Sequence, residues 1–141
     1  MYAVVRRCSP ASWLPPSGGS MARSILIVDD NELVRSHLRY FFQLYYPTFE
    51  LHEAEDGLQA VELAPQLNPD LIILDLAMPR MNGLDAARKL RGFLSTTPII
   101  LFTMHASIIP ESEIRSSGVS AVVPKSSLTD LQVKVQTLLH P

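Results

Sequence analysis

The chain has 141 residues, of which 47% are hydrophobic and 18% charged, and its formal net charge at pH 7 is -2. This length and apolar content fit one globular domain with a sizeable core. The near-neutral charge balance gives no reason to expect binding to nucleic acid or to a membrane. The single cysteine, Cys8, cannot form an internal disulfide and has no CxxC partner, which excludes a cysteine-based metal site and favours a reducing compartment. We therefore expect a cytoplasmic protein.

Residues 1–20 differ in composition from the rest of the chain. They contain two arginines, three prolines, no acidic residue and a Ser-Gly-Gly-Ser run at residues 17–20. No apolar run among them is long enough for a signal peptide or a membrane span. Because nothing in this stretch is periodic, we expect a disordered extension over residues 1–20 and one folded domain over residues 21–141.

Five short segments predict the strands of a sheet. Four of them are nearly continuous apolar runs, which are typical of strands covered on both faces, as in a parallel sheet with helices on each side. The segment at residues 49–54 alternates apolar and polar residues and is expected nearer to a sheet edge. The predicted strands are residues 24–28, 49–54, 71–75, 98–102 and 120–123.

Apolar residues recur at helical spacing after each of these strands, so a helix is expected to follow each one. Asn31 or the aspartate before it is placed to cap the first helix, and Pro47 stops that helix. Pro110 suits the first turn of the fourth helix, and Gly118 suits a left-handed residue at its end. The predicted helices lie between Asn31 and Pro47, from Leu58 to Pro65 or Pro69, from Leu84 to Phe93, from Pro110 to Ser117 and from Leu128 to Leu139.

The alternation of strands and helices predicts a doubly wound α/β fold. We expect a five-stranded parallel sheet in the flavodoxin-like order 2-1-3-4-5, with helices on both faces and right-handed crossovers. The first and third strands are then neighbours, and ligands bind at the carboxyl ends of the strands in such sheets. Asp29 and Asp30 after the first strand and Asp75 at the end of the third should therefore converge on one crevice.

Polar residues stand at the ends of four of the five predicted strands. Besides Asp29, Asp30 and Asp75, Thr103 follows the fourth strand and Lys125 follows the fifth. Three carboxylates in one crevice repel one another and raise each other's pKa unless a cation occupies the space. A site of hard oxygen ligands with few protein groups suits Mg²⁺.

These residues belong to short motifs spread along the chain. The motifs are Ile25-Leu26-Ile27-Val28-Asp29-Asp30, Leu74-Asp75-Leu76-Ala77-Met78-Pro79, Asn82-Gly83, Thr103 and Lys125. Together they resemble the receiver domain of two-component response regulators, and the resemblance covers residues 22–140. It implies that Asp75 accepts a phosphoryl group from a histidine kinase or a phosphotransfer protein.

The resemblance also implies a role for each residue of the crevice. Asp30 and Asp75 would ligate Mg²⁺ directly, the backbone carbonyl of Ala77 would add a ligand, and Asp29 would act through water. Lys125 would balance the negative charge of the phosphoryl group.

Thr103 would report phosphorylation by turning to hydrogen-bond a phosphoryl oxygen, which repacks the face of the fourth helix, fifth strand and fifth helix. Receivers usually carry an aromatic residue three positions before the lysine, where this chain has Val122. The signal is therefore expected to pass through loop and helix displacement or self-association. Because the chain ends at Pro141 soon after the last helix, we expect output through a protein partner, a phosphorelay or self-association, without direct contact with nucleic acid, unless the chain is a fragment of a longer regulator.

Two residues near the crevice favour a long-lived phosphorylated state. Ala77 has no side chain that could orient an attacking water, and Met104 is bulky enough to shield a phosphoryl group. His105 is expected to be a solvated loop residue, because no second histidine or cysteine is spaced to join it as a metal ligand. His37 lies among apolar residues, and we expect it to be partly buried and structural.

Two other functions use the same kind of fold. A Mg²⁺-dependent phosphatase of the haloacid dehalogenase kind needs a second acid two residues after its nucleophile, and here that residue is Ala77. A receiver-like interaction module without phosphorylation would have lost the chemistry, whereas all five key positions keep their residues. We expect a signalling switch that catalyses only its own phosphorylation and dephosphorylation.

Overall fold

The computed structural model describes residues 5–6 and 23–140. The strands are β1 (Val5–Arg6), β2 (Ser24–Val28), β3 (Glu50–Ala54), β4 (Leu71–Leu74), β5 (Ile99–Thr103) and β6 (Ala121–Pro124). The helices are α1 (Glu32–Tyr45), α2 (Gly57–Leu67), α3 (Gly83–Arg91), α4 (Glu111–Ser117) and α5 (Leu128–Leu139), with a 3₁₀ turn at Ala106–Ile108. None of the helices within these described ranges is both long and apolar enough to cross a membrane.

Five parallel strands follow one another across the sheet in the order β3-β2-β4-β5-β6. Numbered among themselves along the chain, these strands have the order 2-1-3-4-5, so the predicted doubly wound parallel sheet is confirmed. β2 and β4 lie side by side at its centre, with Ile25 opposite Leu71 and Val28 opposite Leu74.

β1 is an addition that the sequence did not predict. Its two residues lie opposite Leu51 and His52, so β1 runs antiparallel to β3 along the outer edge of that strand. A strand of two residues carries too little pattern to be recognised in a sequence. The rest of the predicted extension, residues 1–4 and 7–20, lies outside the described residues, and its disorder stays a prediction.

Alternate residues of the central strands point to opposite faces of the sheet and form two apolar clusters. On one face, Ile73 belongs to a cluster with Phe42 of α1 and Val135 of α5. On the other face, Ile72 belongs to a cluster with residues of α2 and α3 that include Leu90. Burial on both faces explains why β4 is apolar along its whole length.

The ends of the helices follow the sequence signals. The side chain of Asn31 accepts a hydrogen bond from the N–H of Leu33 at the start of α1, and Gly118 has a φ of 83° directly after α4. Pro65 lies inside α2, which continues until Asn68 adopts a left-handed conformation with a φ of 47°. Because Pro65 is exposed, water can satisfy the carbonyl that lacks its helical donor, and the later of the two predicted stops is correct.

Candidate acidic site at the carboxyl edge of the sheet

Three carboxylates meet at the carboxyl ends of the two central strands. Asp29 follows β2 directly, and its N–H donates to the carbonyl of Ala54 at 3.1 Å. Asp75 follows β4 directly, and its N–H donates to the carbonyl of Val28 at 3.0 Å. One carboxylate oxygen from each of Asp29, Asp30 and Asp75 lies within 4.8 Å of the other two. The structure thus brings together the acidic residues that the sequence placed at this crevice.

The three carboxylates differ in exposure. Asp29 is 2% exposed and Asp75 is 6% exposed, whereas Asp30 lies at the surface. Oδ1 of Asp29 accepts a hydrogen bond from the N–H of Asn31 at 2.9 Å, which fixes its carboxylate at the turn into α1. Two buried carboxylates therefore form the floor of the crevice, and the third stands on its solvent side.

The ammonium group of Lys125 faces the two buried carboxylates. Its Nζ lies 2.7 Å from Oδ2 of Asp29 and 3.3 Å from Oδ1 of Asp75. Burial alone would lower the pKa of Lys125, but the hydrogen bonds and negative charges of Asp29 and Asp75 raise it above its usual value. Lys125 is therefore protonated at neutral pH.

The carboxyl group of Asp75 is harder to ionise than that of an ordinary aspartate. Burial is the main cause that raises its pKa, and the negative charge of Asp29 raises it further. Lys125 and the backbone N–H of Leu76 act in the opposite direction without cancelling the increase. A divalent cation in the crevice would favour the charged form of Asp75 and so relieve this conflict.

The donor set fits a hard divalent cation. Carboxylate oxygens are the ligands that Mg²⁺ prefers, and Mg²⁺ commonly keeps several waters when one or two carboxylates hold it. Three carboxylates against the ammonium of Lys125 leave a net negative charge in the crevice. Ala77 is exposed in the loop after β4, and the ligand role of its carbonyl stays a prediction.

Thr103 ends β5 and is fully buried. Its Oγ1 accepts a hydrogen bond from the N–H of His105 at 3.1 Å. Its carbonyl accepts a hydrogen bond from the N–H of Lys125 at 2.9 Å. The loop after β5 and the backbone of Lys125 are thus both attached to Thr103, so a movement of this residue would affect both.

The loop of residues 76–82 after the central carboxylate is held in a strained conformation. Arg80 has a φ of 69°, in the left-handed region that is unfavourable for residues with a side chain. The N–H of Met81 donates to the carbonyl of Pro79 at 2.7 Å, which closes a tight three-residue turn around Arg80. Nε of Arg80 donates to Oδ2 of Asp56 at 3.0 Å, and this ion pair ties the loop to the start of α2.

Gly83 begins α3 at a point where a side chain would not fit. A Cβ at this position would lie 2.1 Å from the carbonyl oxygen of Asp75. The N–H of Gly83 donates to the carbonyl of Leu76 at 2.8 Å. The Asn82-Gly83 motif therefore allows α3 to start against the backbone that carries the central carboxylate.

Sequence reasoning missed a buried ion pair behind the crevice. Arg35 of α1 is 5% exposed and Glu53 of β3 is 1% exposed, and Nε of Arg35 lies 3.0 Å from Oε1 of Glu53. The available signal was the position of Arg35 three residues before Leu38, which places it on the buried face of α1. No spacing in the sequence connects Arg35 to Glu53.

The expectation for His37 was wrong. His37 is exposed. Residues three or four positions apart share one face of a helix, and the face of α1 that carries His37 is turned to the solvent. It lines an open groove of about 660 Å³ between α1 and α5. The other exposed residues of that helix face are Leu33, Tyr40 and Leu44.

The fold and the site together define a class of protein, the doubly wound α/β domains with an acidic crevice and a lysine at the centre of the carboxyl edge. Residues 25–136 match the family model of the response regulator receiver domain. The chain therefore belongs to the family of response regulator receiver domains, as its motifs predicted. Receiver domains are modules of signal transduction rather than enzymes that turn over a separate substrate.

Curated and solved relatives come from several bacteria. The chain is 35% identical to the regulatory protein AtoC of Escherichia coli over 117 residues and 32% identical to the response regulator MprA of Mycobacterium tuberculosis over 121 residues. These matches cover 82% and 85% of this chain but 25% and 52% of the two relatives, so the chain spans about half of their length or less. The structure of the response regulator TrrA of Thermotoga maritima, in complex with Mg²⁺ and BeF, is similar with a TM-score of 0.73 and 33% identity. That match covers 83% of this chain and 99% of TrrA.

Proposed function

We propose that this protein is a phosphorylation-controlled signalling switch in which Asp75 accepts a phosphoryl group, with Mg²⁺, from a histidine kinase or a phosphotransfer protein. The observation that carries the proposal is the crevice, where the buried carboxylate of Asp75 faces Lys125 at 3.3 Å and shares the space with two further carboxylates. Membership of the receiver family supports it. The related TrrA structure, which contains Mg²⁺ and BeF, supports the choice of cation.

Asp75 supplies the nucleophile of the transfer. One of its carboxylate oxygens forms a bond to the phosphorus atom of the donor while the bond to the leaving group breaks, and the leaving group keeps that electron pair. The product is an acyl phosphate on Asp75. Mg²⁺, when held by Asp30, Asp75 and the carbonyl of Ala77 with Asp29 acting through water, supplies positive charge that favours the ionised nucleophile.

Lys125 and Thr103 act on the phosphoryl group once it is attached. The ammonium of Lys125, already close to Asp75, donates to a phosphoryl oxygen as a mobile point charge. The hydroxyl of Thr103 turns away from the N–H of His105 and donates to another phosphoryl oxygen. Because the carbonyl of Thr103 accepts the N–H of Lys125, this movement also reaches the end of β6.

The output surface is the face formed by α4, β6 and α5. Val122 of β6 is partly buried and offers no aromatic ring whose burial could report on Thr103. The signal therefore passes by displacement of the loop after β5 and of α4, and a downstream protein or a second copy of this chain reads it. A cytoplasmic location, without direct contact of this domain with nucleic acid or membrane, is part of the same proposal.

The phosphorylated state is proposed to be long-lived. Ala77 has no side chain that could hold an attacking water near the acyl phosphate. Met104 is 74% exposed directly after Thr103, so it would have to fold over the crevice to shield the phosphoryl group. The lifetime proposal therefore depends mainly on Ala77.

Labelling with a small phosphodonor tests the proposal. The full chain is incubated with acetyl phosphate and Mg²⁺, and its intact mass is measured. We expect a gain of one phosphoryl group that is lost in Asp75→Asn and retained in Asp85→Asn, which removes an exposed carboxylate of α3. If the wild type gains no mass under conditions that label a control receiver, the alternative of an interaction module without phosphorylation is favoured.

A further inference from the structure

Arg35 reaches the acidic pair from the interior of the protein. It lies in the first turn of α1 and is 5% exposed. Its Nη1 donates to the backbone carbonyl oxygen of Asp29 at 2.6 Å. That carbonyl belongs to the peptide group between Asp29 and Asp30. The direction of the carbonyl therefore determines the orientation of the backbone at Asp30, directly after β2.

The guanidinium group of Arg35 is itself held by acidic partners. Its Nε lies 3.0 Å from Oε1 of Glu53, and its Nη2 pairs with Glu32. Glu53 is 1% exposed and also accepts hydrogen bonds from Nη1 of Arg39 at 2.9 and 2.7 Å. Arg35 therefore forms a fixed connection between β3, the start of α1 and the backbone of the crevice.

We propose that Arg35 is a positioning residue of the divalent-cation site, which holds the peptide between Asp29 and Asp30 so that both carboxylates face Asp75. The inference rests on the proposed function, because it concerns the Mg²⁺ of the same crevice. Arg35 contacts no atom that would ligate the ion, and it acts through the backbone alone. A charge-assisted hydrogen bond of this length is strong, and groups that orient metal ligands commonly change metal affinity by about tenfold or more.

The sign of the effect separates positioning from simple electrostatics. Arg35 carries a positive charge near three carboxylates, so Coulomb's law alone predicts that its removal strengthens Mg²⁺ binding. Loss of positioning predicts the opposite, because the acidic pair is no longer held in register. A weaker Mg²⁺ affinity without Arg35 therefore cannot arise from its charge.

The test compares Arg35→Met with Arg39→Met in the full chain. Both substitutions remove one arginine from the same ion-pair network, but of these two only Arg35 donates to Asp29. In Arg35→Met, Glu53 keeps its two hydrogen bonds from Arg39, so the buried carboxylate stays paired. In calorimetric titrations with MgCl₂, we expect Arg35→Met to bind about tenfold more weakly than the wild type, and Arg39→Met to bind equally or more tightly.

Arg35→Lys is a second variant that keeps the positive charge. A lysine can donate to Asp29 or to Glu53 but does not reproduce the fork of the guanidinium, so we expect an intermediate Mg²⁺ affinity. The Mg²⁺ concentration for half-maximal labelling by acetyl phosphate should be lowest for the wild type, higher for Arg35→Lys and highest for Arg35→Met. The labelling rate at saturating Mg²⁺ should change much less. A purely structural defect would instead lower the melting temperature and the saturating rate.

The outcomes distinguish this inference from the proposed function. Unchanged or tighter Mg²⁺ binding in the Arg35 variants overturns the role of Arg35 but leaves the phosphorylation of Asp75 standing. Absence of Mg²⁺ binding in the wild type overturns the proposed function itself. If Arg35→Met does not fold, Arg35→Lys decides, since weaker binding with an intact charge supports positioning and unchanged binding contradicts it.

Discussion

Asp75 keeps a carboxylate buried beside a second buried carboxylate, that of Asp29. Burial and repulsion both disfavour the charged form, and Lys125 compensates for them only in part. A functional side chain that the fold keeps in an environment unfavourable for its charged form lowers the stability of the folded state. In the absence of a divalent cation, the ionised Asp75 is therefore expected to destabilise the protein.

Replacing Asp75 with asparagine should stabilise the protein without divalent cations, by about 1 kcal/mol at neutral pH. Folding raises the pKa of Asp75. At pH values between the ordinary pKa of an aspartate and this raised pKa, the folded state therefore keeps a proton that the unfolded chain has lost. Wild-type stability therefore falls relative to Asp75→Asn as pH rises through that window, and the difference is constant above it. Urea unfolding in EDTA at a series of pH values measures this difference. A wild type more stable than the variant at neutral pH would contradict the prediction.

The sequence predicted the carboxylates of the crevice because they stand at the ends of buried strands. Asp29 and Asp75 needed only the strand order to be brought together, and that order came with the flavodoxin-like fold that the alternation of strands and helices predicted. The ion pairs that hold the backbone around the crevice in place could not be predicted from strand order. Arg35 meets Glu53, and Arg80 meets Asp56, only because separate elements converge in space, and no periodicity or spacing encodes those contacts.

At the scale of elements, the central strands were the most predictable part of the chain. β2 and β4 are buried on both faces, so their composition is nearly free of polar residues. β1 was not foreseen, because it has two residues and depends on the exposed edge of β3. Pro65 also shows what the sequence could not predict. α2 tolerates this proline because the residue is exposed, and its exposure cannot be deduced from the residue type alone.

The packing of α1 provides a prediction for an element. Phe42 is fully buried against the sheet, whereas Tyr40 on the same helix is 69% exposed. Phe42→Ala removes a large side chain from a packed cluster and should lower the free energy of unfolding by about 4 kcal/mol. Tyr40→Ala, the matched control, should change it by less than about 0.5 kcal/mol. Urea unfolding measures both values, and similar losses in the two variants would show that the helix is oriented differently.

At the scale of the whole molecule, two apolar clusters lie on opposite faces of the sheet, and the central strands β2 and β4 contribute residues to both of them. Asp29 and Asp75 continue those strands, so a cation that joins them connects the parts of the sheet that both clusters depend on. A ligand that binds only the folded state stabilises the entire domain by mass action.

Mg²⁺ should therefore raise the stability of the wild type, by about 2.7 kcal/mol at a concentration of one hundred times its dissociation constant. The increase should be smaller in Asp75→Asn, which lacks one carboxylate of the crevice, and EDTA should reverse it. Thermal unfolding in MgCl₂ and in NaCl of equal ionic strength separates this binding from screening. An equal shift in the wild type and in Asp75→Asn would indicate that Mg²⁺ acts elsewhere.

Asp75 directly precedes the loop of residues 76–82, and Asp56 pairs with Arg80 of that loop. The pKa values of these two aspartates are shifted in opposite directions. Burial would raise the pKa of Asp56, but hydrogen bonds from the N–H of Gln59 and from Arg80 bring it below the ordinary value. As pH falls, Asp75 therefore takes up its proton while Asp56 still holds the strained turn at Arg80 in place. Under the proposed function, acid that protonates Asp75 would remove the negative charge of the nucleophile while the ion pair between Asp56 and Arg80 still holds the loop, and neutralisation would restore that charge.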